Sequence, residues 1–327
     1  MARKLIVRRE SWPLKRPFSI SRGTKTVADV VYVEVREAND IGRGECVPYA
    51  RYGETIDSVI SIIESQREAI EQGMDRKTLQ RRLLPGAARN ALDCALWDIE
   101  AKQSGVPVWQ RASLPRPESV VTAVTVSLAP PEVMSLEAAG YGNSKVLKLK
   151  LGAENVIDSV RAVRKSSQDS AIIIDANEAW TLEKLSAWQS ELAQLGVSLI
   201  EQPLPAGQDD GLKRIEHAVP ICADESCHTS QDLLRLKRCY EYVNIKLDKT
   251  GGLTEALSLR EDAKKQGFGI MVGCMVGTSL SVAPAILLAS DADFVDLDGP
   301  VLLKQDREPS LISCDTYQCT PKRNVWG

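Results

Sequence analysis

The chain has 327 residues, room for two domains and a large core, which excludes peptide hormones, disulfide miniproteins and simple binding modules. Its 41 basic and 44 acidic residues leave a net charge of −3 with no basic cluster, so neither nucleic acid nor an anionic membrane is an expected partner. A hydrophobic content of 43% beside 26% charged residues belongs to a globular protein, not to a disordered chain.

The N-terminal MARKLIVRRESWP has only Leu5, Ile6 and Val7 as a continuous apolar run, too short for a signal-peptide core. The eight cysteines are spread through the chain, several within apolar segments, and read as reduced, mostly buried thiols. A cytoplasmic location is expected. KLIVRRESW, VADVVYVEVRE and IGRGECV predict antiparallel strands, whereas SVISIIESQREAIEQG and AARNALDCALWDIEAKQSG carry helical periodicity. Residues 1–114 are therefore an α+β domain, to which residues 304–327 are expected to return.

From 115 to 303 the pattern becomes short β-branched runs followed by amphipathic stretches. The runs are SVVTAVTVSL, KVLKLKL, AIIID, VSLIEQP, PICADE, YVNIKL, FGIMVGC and DFVDLD. Runs this short and apolar suit parallel strands covered on both faces. Closing residues Lys150, Asp175, Glu201, Asp224, Lys246, Gly273 and Asp296 recur every 22 to 27 positions, one strand plus one helix. Leucine-rich repeats share that period, but their leucine pattern is missing. The fold class is α/β, a TIM-like barrel.

Active sites of such barrels lie at the C-terminal strand ends. Three successive ends carry Asp175, Glu201 and Asp224. Three ionised acids on adjacent strands repel one another unless a cation joins them, and all-oxygen ligation selects Mg²⁺, with Mn²⁺ as the alternative. Taken singly, each acid could instead cap the following helix.

Lys150 ends the second strand, with Lys148 on the same face, and Lys246 ends the sixth. In a ring of eight these strands face each other across the mouth. A carboxylate substrate held by the ion would have its α-proton acidified through an enediolate, one lysine removing the proton and the other returning it from the opposite face. The base must be neutral, which costs about 4.6 kcal/mol at pH 7 from the reference lysine pKa. Lys148 and the metal would reduce that cost.

The runs KLK, IIIDAN, EQPLP, ADES, NIKLDKTGG and DLDGP, together with GRGECVPYARYGE and AARNALDCALWD, resemble the enolase superfamily. Within it the chain is most similar to the dipeptide epimerases of L-Ala-D/L-Glu type, in the muconate-lactonizing subgroup. The resemblance implies a capping domain on a modified (β/α)₇β barrel, with Asp175, Glu201 and Asp224 as Mg²⁺ ligands. Lys150 and Lys246 would be the acid/base pair and Lys148 a carboxylate-binding cation, in keeping with the lysine-and-magnesium sites of this superfamily. It further suggests a role in murein peptide recycling. No His follows His228, which argues against the mandelate-racemase-like subgroup.

Asp296 and Asp298 close the eighth strand, opposite the fourth and away from the metal acids. They suit the free ammonium of a dipeptide, and in the dipeptide epimerases a D-x-D run resembles this clamp. The segment PFSISRGTKT falls where that family has a mobile loop over the site, and Arg22 and Lys25 are cations suited to an acidic C-terminal side chain. At Lys25 the family pattern leads one to expect Arg. Thr125, Arg51, Tyr52, Cys274 and Met275 are further lining candidates.

GFGIMVG resembles a dinucleotide fingerprint but lies within a strand, and Cys222, Cys227 and His228 lack a fourth zinc ligand. A muconate cycloisomerase or o-succinylbenzoate synthase shares the ion and lysines, yet its substrate would be repelled by the paired acids. A catalytically silent metal-binding barrel should lack one of these groups, and none is missing. The expected partner is a small dipeptide, and the composition allows a homo-oligomer.

Overall fold

The N-terminal third builds an antiparallel sheet from β1 (Lys4–Ile20), β2 (Gly23–Glu37) and β3 (Asp40–Cys46), in the order β1-β2-β3. The protein is described by a computed structural model covering residues 2–142, 144–313, 317–319 and 322–327. Alternation in β2 turns Val31, Val33 and Val35 toward the helices and Tyr32 toward the barrel. Helix Ala87–Ser104 lies directly on β3. A Cβ at Gly42 or Gly44 would stand 2.1 or 2.0 Å from the carbonyl oxygens of Ala95 or Ala91. The two glycines permit this close approach.

Short β4 (Val120–Val121) precedes the parallel strands. These are β5 (Val124–Val126), β6 (Val146–Lys150), β7 (Ala171–Asp175), β8 (Val197–Glu201), β9 (Ile221–Ala223), β10 (Tyr242–Ile245), β11 (Gly269–Gly273) and β12 (Phe294–Asp296). They form one eight-stranded sheet in sequential order, and the Ala123 amide donating to the Val295 carbonyl at 2.8 Å joins its two ends into a barrel. Lys150, Asp175, Glu201 and Cys222 are in register, so the tips of β6, β7 and β8 are level. Inward-facing Ile173, Leu199, Cys222 and Met271 form an apolar cluster inside the barrel. Outward-facing Leu147, Ile172, Ile174, Ile200, Val243 and Ile270 pack against the surrounding helices. All eight expected strands are present, with two local differences.

Val120–Val121 does not begin the first barrel strand. It pairs antiparallel with β14 (Gln318–Cys319), which pairs in turn with β13 (Ile312–Ser313). The crossover from β8 to β9 is a 3₁₀ turn, Asp209–Arg214, with no full α-helix, because Pro203, Pro205, Gly207, Gly211 and Pro220 interrupt the segment.

Beyond β12 the chain runs along the antiparallel domain. The Lys304 amide donates to the Pro13 carbonyl, Arg307 pairs with Glu10 and Glu45, and Trp326 Nε1 donates to the Cys94 carbonyl at 3.0 Å. The irregular segment expected from CDTYQC and Pro321 falls partly outside the described residues, as does Cys314. The seven described cysteines are free thiols. Among the described residues no helix is long and apolar enough to cross a membrane.

Candidate active site

A cavity of about 370 Å³ opens at the C-terminal ends of the barrel strands and is roofed by the β1–β2 hairpin, a size that accommodates a dipeptide. Lys148, Lys150, Asp224, Lys246, Asp296 and Asp298 line it, as do Thr125, Cys274, Met275, Arg51 and Tyr52. Asp175 and Glu201 are fully buried at its floor.

Asp175, Glu201 and Asp224 interleave with Lys148, Lys150, Lys246 and Lys249. Lys150 Nζ lies 2.5 Å from Asp175 Oδ2, and Lys246 Nζ lies 2.7 Å from Asp224 Oδ2 and 3.7 Å from Glu201 Oε1. Lys148 reaches Asp175 at 3.1 Å and Glu201 at 2.6 Å. Strands β6 and β10 are four apart in either direction round the ring, so Lys150 and Lys246 stand at opposite ends of the acid arc. At the tip of β11, a Cβ on Gly273 would come within 3.0 Å of Lys246 Cε. The uncharged seventh tip is thus the gap through which the Lys246 stem passes.

Electrostatics follow this interleaving. Burial favours a neutral Asp175, but Lys150 and Lys148 outweigh it and hold the carboxyl below its usual range. Asp224 is likewise depressed by Lys246 and Lys249 against the cost of burial. Glu201 is raised by burial and by Asp175. Desolvation works against the Lys246 charge, yet Asp224 and Glu201 keep it well above the usual lysine value. Beside Asp224 and Glu201, Lys246 therefore holds its proton firmly. Cationic charge on those carboxylates is what would free it to act as a base.

Among the described residues no three acidic, His or Cys side chains converge closely enough to form a ready metal cage, because ammonium groups stand between them. The donors nevertheless fit a hard cation: oxygen only, on three adjacent tips. Glu201 Oε2 and Asp224 Oδ1 are buried without a properly directed hydrogen bond and meet only the charges of Lys148 and Lys249, each at 2.6 Å.

The acids of β12 are less remote than their position opposite β8 suggests. Lys148, one layer below the tip, reaches Asp296 Oδ2 at 2.6 Å while contacting Asp175 and Glu201. Asp296 Oδ1 remains buried without a hydrogen-bond partner. Asp298 accepts the Thr125 amide at 2.7 Å, and burial beside Asp296 pushes its carboxyl up to about 7.

PFSISRGTKT forms the closed end of the β1–β2 hairpin, with Ile20 opposite Gly23 and Phe18 opposite Lys25. Arg22, expected to face a substrate carboxylate, has its terminal nitrogens directed at protein acceptors. The Lys25 ammonium sits 5.3 Å over the Tyr49 ring with no ion pair among the described residues. Desolvation of that end of an otherwise exposed side chain lowers its pKa, partly offset by Asp29.

Several residues of this site were not singled out in the sequence. Asn244 Nδ2 donates to Glu201 Oε1 at 2.8 Å, and Gln202 Oε1 accepts the Asp224 and Ser226 amides at 2.9 and 3.0 Å. Lys249 donates to the Asp224 and Asn244 carbonyls. Their signal lay in position: each is one to three residues from a tip already marked.

Residues 2–111 match the mandelate racemase/muconate lactonizing enzyme N-terminal domain, and residues 132–300 match the enolase C-terminal domain-like family. The chain belongs to this family. An L-Ala-D/L-Glu epimerase from Escherichia coli K12 is 47% identical, covering 92% of this chain and 95% of the relative. An N-acetyl-D-glutamate racemase from Pseudoalteromonas sp. is 43% identical over 91% and 95% of the two chains. Among solved enolase-family structures, one from Agrobacterium tumefaciens, with homology to dipeptide epimerases and bound to sodium and L-Ala-L-Glu, superposes with a TM-score of 0.97. It is 48% identical, with 99% and 100% of the chains covered.

Proposed function

We propose that the protein is a Mg²⁺-dependent dipeptide epimerase, an isomerase that inverts the α-carbon of the C-terminal residue of L-Ala-D/L-Glu and related dipeptides. The observation that carries this reading is the placement of Lys150 and Lys246 at opposite ends of one arc of carboxylates. Asp175, Glu201 and Asp224 would hold the ion, which would supply positive charge toward the substrate carboxylate. Lys150 and Lys246 exchange that proton at opposite faces of the α-carbon. Lys148 adds a cation for the developing negative charge.

On the far side, Asp296 and Asp298 receive the N-terminal ammonium, and the partnerless Asp296 Oδ1 is the acceptor it meets. An N-acylated amino acid brings no cation to this pair, which favours a free dipeptide over the substrate class named for the Pseudoalteromonas relative. Thr125 fixes Asp298 through its amide, while Cys274 and Met275 border the remaining space. Lys25 offers a point charge to an acidic C-terminal side chain. The free thiols of the seven described cysteines support the proposal that the enzyme works in the cytoplasm.

The decisive experiment incubates purified protein and Mg²⁺ in D₂O with a dipeptide library and N-acetylglutamate as a control. Deuterium should enter the C-terminal α-carbon of L-Ala-L-Glu and not the acylated control. Absence of exchange in every dipeptide overturns the assignment.

A further inference from the structure

The turn of the β1–β2 hairpin consists of Ser21 and Arg22, at the lip of the cavity. Arg22 Nη1 donates to the Asn177 carbonyl at 2.9 Å and to Glu178 Oε2 at 3.0 Å. Its Nη2 donates to the Tyr49 hydroxyl at 2.9 Å and to Glu225 Oε1 at 2.6 Å. Ser21 Oγ adds a second bond to the Asn177 carbonyl. One guanidinium thus fastens the hairpin to the loops after β7 and β9, which follow Asp175 and Asp224.

The receiving side is built for this contact. Asn177 and Glu178 both have left-handed backbone, φ 44° and 68°, a conformation unfavourable for residues with a Cβ. Glu178 is held in place by Arg51, which pairs with both of its oxygens at 2.7 Å, and by the Ala206 amide. The Glu225 side chain is only 2% exposed and meets Arg22 as its ion-pair partner. A buried carboxylate that loses its cation is strongly disfavoured.

Fastening the tip also sets what lies beneath it. The Phe18 ring is 5.9 Å from Lys150 Nζ, and Lys25 is carried over Tyr49. We propose that Arg22 is a positioning residue that latches the hairpin shut through Glu178, Glu225 and the Asn177 carbonyl, and that it does not read the substrate's side chain. It acts on the reaction through Phe18 and Lys25. This inference rests on the epimerase reading only for its kinetic test.

Hydrogen–deuterium exchange of residues 14–26 and steady-state kinetics on L-Ala-L-Glu and L-Ala-L-Leu test it in wild type, Arg22→Ala, Arg22→Lys and Lys25→Ala. Arg22→Ala should speed hairpin exchange by about tenfold or more and raise KM for both dipeptides by a similar factor. Its kcat should fall less than KM rises, with partial recovery in Arg22→Lys. Lys25→Ala should leave exchange unchanged and penalise only L-Ala-L-Glu. Unchanged exchange in Arg22→Ala, or a loss confined to L-Ala-L-Glu, overturns the latch. Should the wild type turn over neither dipeptide, the exchange comparison alone still decides it.

Discussion

Lys148 and Asp296 form a buried ion pair, Nζ to Oδ2 at 2.6 Å, that ties the acids of β12 to those of β7 and β8. Asp296, proposed to meet the substrate ammonium, and Asp175 and Glu201, proposed to hold the metal, therefore share one cation. The two acids of the pair should differ when altered. Asp298→Asn keeps an acceptor for the Thr125 amide but loses charge toward the substrate, so KM for L-Ala-L-Glu should rise about 10- to 100-fold with little change in Mg²⁺ affinity. Asp296→Asn should additionally perturb Mg²⁺ binding, because Lys148 loses a counter-charge. Calorimetry of Mg²⁺ binding beside steady-state kinetics separates the two; identical behaviour would argue against the shared cation.

Lys150→Ala and Lys246→Ala should each lower kcat for epimerisation by about 10²- to 10⁴-fold. Each variant retains one base facing one side of the α-carbon. In D₂O, one variant should exchange the α-proton of the L,L dipeptide and the other that of the L,D dipeptide. Proton NMR of the two isomers measures this directly, and exchange of both isomers by either variant would exclude a two-base mechanism.

Metal binding should couple to stability. Mg²⁺ at a hundredfold excess over its Kd should stabilise the fold by about 2.7 kcal/mol, seen as a rise in Tm. Glu201→Gln and Asp224→Asn should lose most of that rise, and chelation with EDTA should reverse it in the wild type. A Tm shift of equal size in all three proteins would place the ion elsewhere.

Asp248 gives a pH prediction away from the metal acids. It is buried where the helical turn after β10 meets the antiparallel domain, accepting the Val47 amide at 3.0 Å and Asn90 Nδ2 at 2.8 Å. Burial pushes its carboxyl up to about 7, those two hydrogen bonds oppose the shift, and Glu54 and Glu45 add to it. A carboxyl raised on folding stabilises the native state below its unfolded pKa, and that contribution is lost as pH climbs through about 7. Asp248→Asn retains an acceptor but cannot ionise. It should stabilise the fold relative to wild type at pH 8 by about 4 kcal/mol, seen as a higher Tm, and have little effect near pH 4. Thermal melts across that range provide the check.

The barrel and its chemistry were legible because each acid or lysine ends a short apolar run, and sequential topology turns their order along the chain into order round the ring. Lys150, Asp175, Glu201, Asp224 and Lys246 needed no knowledge of side-chain partners. Features that depend on partners were hidden. The reach of Lys148 to Asp296 crosses two strand positions, and the capture of Arg22 by Glu178 and Glu225 joins residues more than 150 apart. Val120–Val121 looked like the start of a barrel strand because its pairing with Gln318–Cys319 leaves no local periodic trace. The missing helix before β9 was announced by its prolines and glycines, yet a regular repeat made a helix the default.

Phe18, Arg22 and Lys25 stand on the hairpin, whereas Lys150 and Lys246 stand at the barrel's strand tips. Part of the cavity wall is thus encoded more than 120 residues before the strand tips that carry these lysines. A replacement at Lys25 reshapes the roof of the cavity from a segment remote in sequence from Lys150 and Lys246, whereas one at Phe18 reaches Lys150 as well.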